Sequence, residues 1–175
     1  MCELSKFILD FQELRESEET FSFKLDDEYF AAIGATEVRG GEVETTVKVS
    51  RAAGCFEVVF SSEGEVTVDC SRCLDPMSLP VNTCDKLYVK YGEKYLDEGD
   101  ELIIVPEDAP KLDLSWHIYE FIALSIPAQH SHPEGECNPQ MMELLSGNLE
   151  PEQSDDTNSG EAIDPRWAKL MQLKN

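Results

Sequence analysis

Two groups of residues in this 175-residue chain are of the types that bind metal ions. Cys70 and Cys73 enclose the sequence CSRC, and this C-x-x-C spacing allows two thiolates to face one ion from a tight turn. The other dense group of donors is HSHPEGEC, from His130 to Cys137, roughly 60 residues further along the chain. An ion shared by the two groups would hold the second segment against the first, and its binding energy would become folding energy.

Two other chemistries are compatible with the same C-x-x-C spacing. A redox-active pair normally stands at the start of a helix in a β-α-β unit, where the helix lowers the pKa of one thiol. Here Asp75 and Pro76 follow the pair, and the surrounding pattern indicates antiparallel strands. The cysteines could also be inert, because a free Cys packs in the core as a small hydrophobic residue. Metal binding, redox chemistry and inert packing are therefore all open at this point.

The composition narrows the possible classes of function. The chain has 14 Lys and Arg residues against 36 Asp and Glu, which gives a formal net charge of −22 at pH 7. This charge opposes binding to nucleic acid through the overall electrostatic field, and it favours a basic partner or high solubility. The sequence has no P-loop, G-x-G-x-x-G, G-x-S-x-G or H-E-x-x-H motif, so we expect a protein that is not an enzyme.

The sequence also predicts where the protein acts. Its N-terminal apolar run, Phe7 to Leu9, is far shorter than the core of a signal peptide. No run approaches the ~18 apolar residues of a membrane span. We therefore expect a cytoplasmic protein that has no membrane partner and whose six cysteines are reduced.

The elements that must position the donors are predicted to be mainly β-strands. Apolar and polar residues alternate in five stretches, and turns are predicted at 51–54 and 61–64. Strands at such short spacing predict an antiparallel meander, either open or curled into a small barrel. The alternating residues are Phe21, Phe23 and Leu25; Val43, Thr45, Val47 and Val49; Phe56, Val58 and Phe60; Val66, Val68 and Cys70; and Val81, Leu87, Val89 and Tyr91.

Two helices are predicted beside these strands. A short helix spans about residues 26–33 with Asp26 as its N-cap, and a longer helix runs from its N-cap Asp113 to about Ser125. The longer helix is apolar on every side apart from Glu120, so we expect it to be buried against the sheet. The predicted fold is therefore α+β and β-rich, with one buried helix packed on the sheet.

Three regions are predicted along the chain. Residues 1–145 form a single β-rich globular domain that includes the Cys and His residues. Residues 146–164 are polar and acidic, and this composition is typical of a disordered, flexible linker. Residues 165–175 form a short C-terminal amphipathic helix, because Trp167, Leu170 and Met171 recur at helical spacing.

Four motifs occur in a characteristic order from about residue 66 onward. They are CSRCLD at 70–75, EFIALSIP at 120–127, the pair His132 and Cys137, and DPR at 164–166 with Leu170 and Leu173. In this order they resemble the YceD family, also called DUF177, the large ribosomal RNA subunit accumulation proteins of bacteria and plastids. The sequence SIPAQHSHPEGECNP is similar to the Bacteroidetes branch of that family.

The resemblance implies a structural zinc site and a role in ribosome biogenesis. The positions that match a ligand set are Cys70, Cys73, His132 and Cys137, with His132 in preference to His130. The implied function is non-enzymatic: the protein supports accumulation of large-subunit ribosomal RNA and 50S assembly, as a binding module on ribosomal RNA or on pre-50S particles. The family offers no catalytic residues to carry over.

Two alternatives accompany this expectation. The protein could be an acidic chaperone or adaptor for a basic ribosomal protein, since its charge would attract such a partner over long distances. A more remote alternative is a metal-dependent hydrolase. Neither DNA nor a membrane is expected as a partner. The residues predicted to contact a partner are Arg72, Lys86, Tyr88, Lys90 and Trp167.

Overall fold

A six-stranded sheet organises the structure. The computed structural model describes residues 4–52, 54–97, 99 and 101–149. In these residues a 3-10 turn at Leu4–Phe7 precedes the helices α1 Asp27–Ile33, α2 Leu114–Ser125 and α3 Pro139–Leu149. The strands are β1 Ile8–Asp10, β2 Glu18–Leu25, β3 Gly40–Ala52, β4 Cys55–Asp69, β5 Pro76–Gly92, β6 Leu96–Asp97, β7 Leu102–Pro106 and β8 Lys111–Asp113.

The main sheet is open and mixed, in the order β2-β3-β4-β5-β7-β6. Strands β2 to β5 are antiparallel neighbours and form the meander that the sequence predicts. Strands β5 and β7 are instead parallel, with Tyr88 opposite Leu102. Strands β1 and β8 pair with each other as a separate two-stranded sheet. The β-rich α+β class is therefore confirmed, and of the two expected arrangements the structure has the open sheet.

The turn predicted at residues 61–64 is wrong, because β4 continues through these residues as one strand. Gly64 in β4 and Gly41 in β3 explain this continuity. A Cβ on Gly64 would collide with the carbonyl oxygen of Glu42, and one on Gly41 would collide with that of Glu65. The two glycines thus permit a close approach of the strand backbones, and neither of them ends its strand.

The inner face of the sheet packs against α1 and α2. The predicted N-caps are confirmed: the N–H of Tyr29 donates to Asp26 Oδ1 at 3.0 Å, and the N–H of Ser115 donates to Asp113 Oδ1 at 2.9 Å. The Tyr29 hydroxyl donates to the carbonyl oxygen of Ser115 at 2.6 Å and joins the two helices. The buried residues include most of the predicted alternating set, namely Leu25, Val43, Thr45, Val47, Val49, Phe56, Val58, Phe60, Val66, Val68, Cys70, Val81, Leu87 and Val89.

Helix α2 is buried against the sheet as expected, but on one side only. Ile118 and Ile122 are completely buried against the sheet, but Trp116 and Leu124 on the opposite side are exposed. The physical reason is that the sheet and α1 cover one side of α2 only. The helix ends at Ser125, just before Pro127, where a continuing helix would lose a backbone hydrogen bond.

The remaining regional predictions fall largely outside the described residues. Helix α3 extends to Leu149 and so includes the first residues of the predicted linker at 146–164. The rest of that linker and the predicted helix at 165–175 lie beyond the described residues, and both stay predictions. Of the helices that the structure describes, none is long and apolar enough to cross a membrane.

Candidate metal centre

A tight turn between β4 and β5 presents Cys70 and Cys73. The N–H of Arg72 donates to Sγ of Cys70 at 3.5 Å, and the N–H of Leu74 donates to the carbonyl oxygen of Cys70 at 2.9 Å. Leu74 has a φ of 62°, a left-handed conformation that side chains other than glycine seldom adopt. This conformation closes the turn directly after Cys73 and returns the chain to β5.

The loop that follows α2 is fastened to this turn. The N–H of Ser71 donates to the carbonyl oxygen of His130 at 2.8 Å, and the N–H of His130 donates to Ser71 Oγ at 3.3 Å. The two ring nitrogens of His130 each lie 2.8 Å from a carbonyl oxygen, one of Pro127 and one of Asp69. His130 therefore acts as a structural link between the loop and the end of β4, a role that its sequence position did not reveal.

The structure brings Cys70, Cys73, His132 and Cys137 together. Their ligand atoms all lie within 4.8 Å of one another. The Sγ atoms of Cys70 and Cys137 are 3.9 Å apart, and Sγ of Cys73 is 3.4 Å from Nδ1 of His132. The three cysteines are buried, with methionine side chains packed against them. These are the four residues that the family resemblance implies, and His130 is not among them.

The spacing of these atoms suits a tetrahedral metal ion. Bonds of about 2.3 Å to sulfur and about 2.0 Å to nitrogen place two sulfurs about 3.8 Å apart, and a sulfur and a nitrogen about 3.5 Å apart. The Cys70–Cys137 and Cys73–His132 separations of 3.9 and 3.4 Å are close to these values. Three thiols and one imidazole could therefore hold one metal ion and fill all four of its coordination positions.

The packing of the thiols affects their ionisation unequally. Burial raises the pKa of Cys70, but hydrogen bonds from the N–H groups of Cys73 and Arg72 outweigh burial and bring this pKa to about 5. Burial, together with the contact with Cys70, raises the pKa of Cys137 to about 11. The surroundings thus favour the thiolate form of Cys70 and disfavour the thiolate form of Cys137. A bound cation would favour several thiolates at once, because it compensates their mutual repulsion.

The predicted contact residues Lys86, Tyr88 and Lys90 lie on β5, on the outer face of the sheet. The Lys86 ammonium donates to the Tyr88 hydroxyl at 3.3 Å, and that hydroxyl donates to Glu57 at 3.2 Å. The contact with Tyr88 and the negative charge of Glu101 raise the pKa of Lys86. The positive charge of Lys86 is therefore partly compensated by neighbouring carboxylates.

The other two predicted contact residues are elsewhere. Arg72 lies in the turn before β5, and the extended chain from Pro76 to Lys86 separates it from the lysines by a path of roughly 30 Å. Arg72 and the β5 lysines therefore do not form one basic patch. Trp167 lies outside the described residues.

An acidic face, defined here as Glu42, Glu44, Glu63 and Glu65, was missed by sequence reasoning. All four side chains are exposed on the outer face of the sheet, where Glu42 stands directly opposite Glu65 and Glu44 directly opposite Glu63. Three of the four line a groove of about 550 Å³. The alternation of glutamates was visible in the sequence, but the turn wrongly predicted at 61–64 separated Glu63 from its strand.

Comparison with known proteins assigns the chain to a family. A family model described as large ribosomal RNA subunit accumulation protein YceD matches residues 58–174, which contain the whole Cys and His cluster. Searches of curated proteins and of solved structures gave no match. Since the family match spans well over half of the chain, it confirms the resemblance noted in the sequence. The chain belongs to the YceD family of large ribosomal RNA subunit accumulation proteins.

Proposed function

We propose that Cys70, Cys73, His132 and Cys137 bind one structural Zn²⁺. Two short ligand-to-ligand distances and the burial of all three thiols support this proposal. A site with four protein ligands leaves no position for a water molecule or a substrate, so it contributes folding energy and no catalysis. The zinc would join the loop after α2 to the β4–β5 turn in a protein that is not an enzyme.

Histidine variants distinguish the ligand from the structural link. We expect His132→Ala to reduce bound zinc from about one equivalent to well under half, because it removes one of four donors. His130→Ala should retain the zinc and lower the free energy of unfolding by about 1 to 2 kcal/mol, because it removes the ring contacts to Pro127 and Asp69. Zinc analysis of the purified variants, followed by urea unfolding, measures both effects. Loss of zinc in His130→Ala alone would reverse the assignment.

The function we infer is support of large-subunit ribosomal RNA accumulation through binding of a basic large-subunit protein at the acidic face. The observation that carries this inference is the direct opposition of Glu42 to Glu65 and of Glu44 to Glu63. Like charges at opposed strand positions repel, and lysine or arginine side chains of a partner would relieve that repulsion. Within the acidic face the structure shows one ion pair, from Lys24 to Glu44 at 3.3 Å, and Lys24 itself is highly exposed.

The overall charge supports a basic protein partner over RNA. A net charge of −22 attracts a basic protein over long distances and repels phosphate. Several cations of the described residues are already paired with carboxylates, including Lys48 with Glu18 at 3.0 Å and Lys111 with Asp10 at 3.4 Å. In this mechanism the protein shields the basic partner until it joins the pre-50S particle.

A second candidate is direct binding of ribosomal RNA by the β5 residues. The observation that favours it is the position of Tyr88 between Lys86 and Lys90 on one strand face, since an aromatic ring flanked by cations can stack on an unpaired base. The partial compensation of Lys86 by Glu57 and Glu101 makes this candidate the weaker of the two.

Binding to purified large-subunit proteins and to large-subunit ribosomal RNA tests the two candidates. We expect the quadruple glutamine variant of the acidic face to bind the basic proteins about tenfold more weakly at low salt, with a smaller difference at high salt. A matched control replaces four exposed glutamates outside this face, Glu13, Glu93, Glu107 and Glu134, by glutamine. This control changes the net charge equally and should bind like the unchanged protein.

The alternative outcomes are distinct. Equal weakening by both quadruple variants would show that the total charge matters and that the acidic face does not. If the proteins fail to bind and the RNA does, with binding lost in a Lys86→Ala, Lys90→Ala variant, the second candidate replaces the first.

A further inference from the structure

Helix α2 presents an apolar stripe to solvent. Trp116 and Leu124 are 52% and 76% exposed, and they lie two turns apart on the side of the helix that faces away from the sheet. Glu120 lies midway between them on the same side. Contact of the large indole surface with water is unfavourable. Tryptophan is also a residue type that anchors interfaces.

Further apolar and acidic groups adjoin the start of this stripe. The Trp116 ring packs on Tyr119, with centroids 5.4 Å apart. Burial raises the pKa of Tyr95, and the carboxylates of Asp97 and of Asp113, the N-cap of α2, raise it further. Tyr95 is itself half exposed. The surface around Trp116 is therefore apolar at its centre and acidic at its margin.

The chain itself contains a segment that complements this surface. From residue 112 to residue 165 the sequence has no Lys or Arg, so neither α2 nor α3 offers a cation. Residues 165–175, PRWAKLMQLKN, carry three cations, and the apolar residues Trp167, Leu170 and Met171 are spaced to form one face of a helix. This segment matches the α2 stripe in apolar character and has the opposite charge.

We propose that residues 165–175 dock as an amphipathic helix on the outer face of α2, with Trp167 against the stripe of Trp116 and Leu124. The cations of the segment then lie beside Glu120 and the acidic margin of the stripe. The docked segment covers the exposed indole and adds a second layer outside α2. This proposal concerns a surface remote from the acidic face and holds whichever partner that face binds.

Fifteen residues, 150–164, separate the end of α3 from the docking segment. The described residues end with α3 at Leu149. A flexible chain of that length has a root-mean-square span of about 20 Å and a fully extended reach of about 50 Å. At such lengths the local concentration of the segment is of millimolar order, so modest contacts are sufficient for docking.

Helix α3 offers a rival surface for the same segment. Leu144 is 64% exposed there, and Met142 and Leu145 are each a little over one-third exposed. Within α3 the one charged side chain is Glu143, and no aromatic residue accompanies it. The aromatic anchor Trp116 favours α2, and variants of each helix distinguish the two surfaces.

The two tryptophans of the chain report on the two sides of the proposed contact. In full-length Trp167→Phe, acrylamide quenching of fluorescence reports on Trp116 alone. We expect the further changes Leu170→Asp and Met171→Asp to raise the Trp116 quenching constant about twofold, because the segment leaves α2. In full-length Trp116→Phe, the reporter is Trp167, and Leu124→Asp should raise its quenching constant about twofold. Leu145→Asp is the matched control on α3 and should leave the Trp167 quenching constant unchanged.

Three results would overturn the proposal. The first is a Trp116 quenching constant that does not respond to the two aspartates in the segment. The second is release of Trp167 by Leu145→Asp and not by Leu124→Asp, which would place the segment on α3. The third is dependence of the constants on protein concentration, which would show that the segment comes from a second copy of the chain. All altered side chains on α2 and α3 are exposed, and circular dichroism verifies that the variants fold.

Discussion

Serine in place of Cys73 is expected to abolish stoichiometric zinc binding and to lower the free energy of unfolding by about 4 kcal/mol. Cys73 supplies one of the four ligand atoms that lie within 4.8 Å of one another, and a serine hydroxyl is a much poorer zinc ligand than a thiolate. Since the binding energy of a structural zinc is folding energy, losing the ion weakens the whole fold. Zinc analysis by mass spectrometry and urea unfolding measure the two effects.

A second cysteine provides the matched control for this variant. Cys84 lies exposed on the outer face of β5, away from the cluster, so Cys84→Ser should retain one zinc per chain and nearly the original stability. A chelator should lower the stability of the unchanged protein toward that of Cys73→Ser. If purified unchanged protein contains no zinc and is equally stable with chelator, the four residues are a packed thiol cluster and the zinc proposal is wrong.

The features that sequence reasoning predicted well are those set by neighbouring residues. Asp26 and Asp113 were identified as N-caps because a carboxylate before an apolar helix satisfies free backbone N–H groups in a local contact. The strand faces were identified because successive side chains of any strand point to opposite faces of the sheet, whichever strand pairs with it. These predictions needed no knowledge of how distant parts of the chain meet.

The predictions that failed depend on distant contacts. The glycine at 64 resembles a turn residue until the β3 backbone at Glu42 and Val43 is known to lie directly against it. The apolar character of α2 predicted its burial against the sheet but did not show that the sheet leaves the side with Trp116 uncovered. The linking role of His130 depends on the carbonyl oxygen of Asp69, which lies 61 residues earlier in the chain.

The candidate metal centre depends on both local sequence and distant contacts. The C-x-x-C motif is local, and it indicated that Cys70 and Cys73 could share an ion. The second half of the site comes from a loop whose position follows from the packing of α2 on the sheet and from the bonds between Ser71 and His130. Spacing alone left three chemistries open for this reason, and the family resemblance was needed to choose a ligand set.

Alanine in place of Gly64 is expected to lower the free energy of unfolding by about 3 kcal/mol or more. The added Cβ would collide with the carbonyl oxygen of Glu42 and the Cα of Val43, and both are backbone atoms that cannot rotate away. Relief of that collision requires separating β3 from β4 at the centre of the sheet, with loss of pairing and core packing. Urea unfolding of the zinc-loaded variant and the zinc-loaded unchanged protein measures the difference.

Gly54→Ala is the control that separates collision from backbone strain. Gly54 has a φ of 83°, so alanine is strained there, but a Cβ at this position has no atom within 4 Å. The strain alone costs about 1 kcal/mol. If Gly64→Ala is no more destabilising than Gly54→Ala, the close approach of β3 and β4 is not what requires glycine. A much larger effect at Gly64 would show that the close approach of β3 at this glycine keeps β4 in one piece, and with it the strand that leads into Cys70.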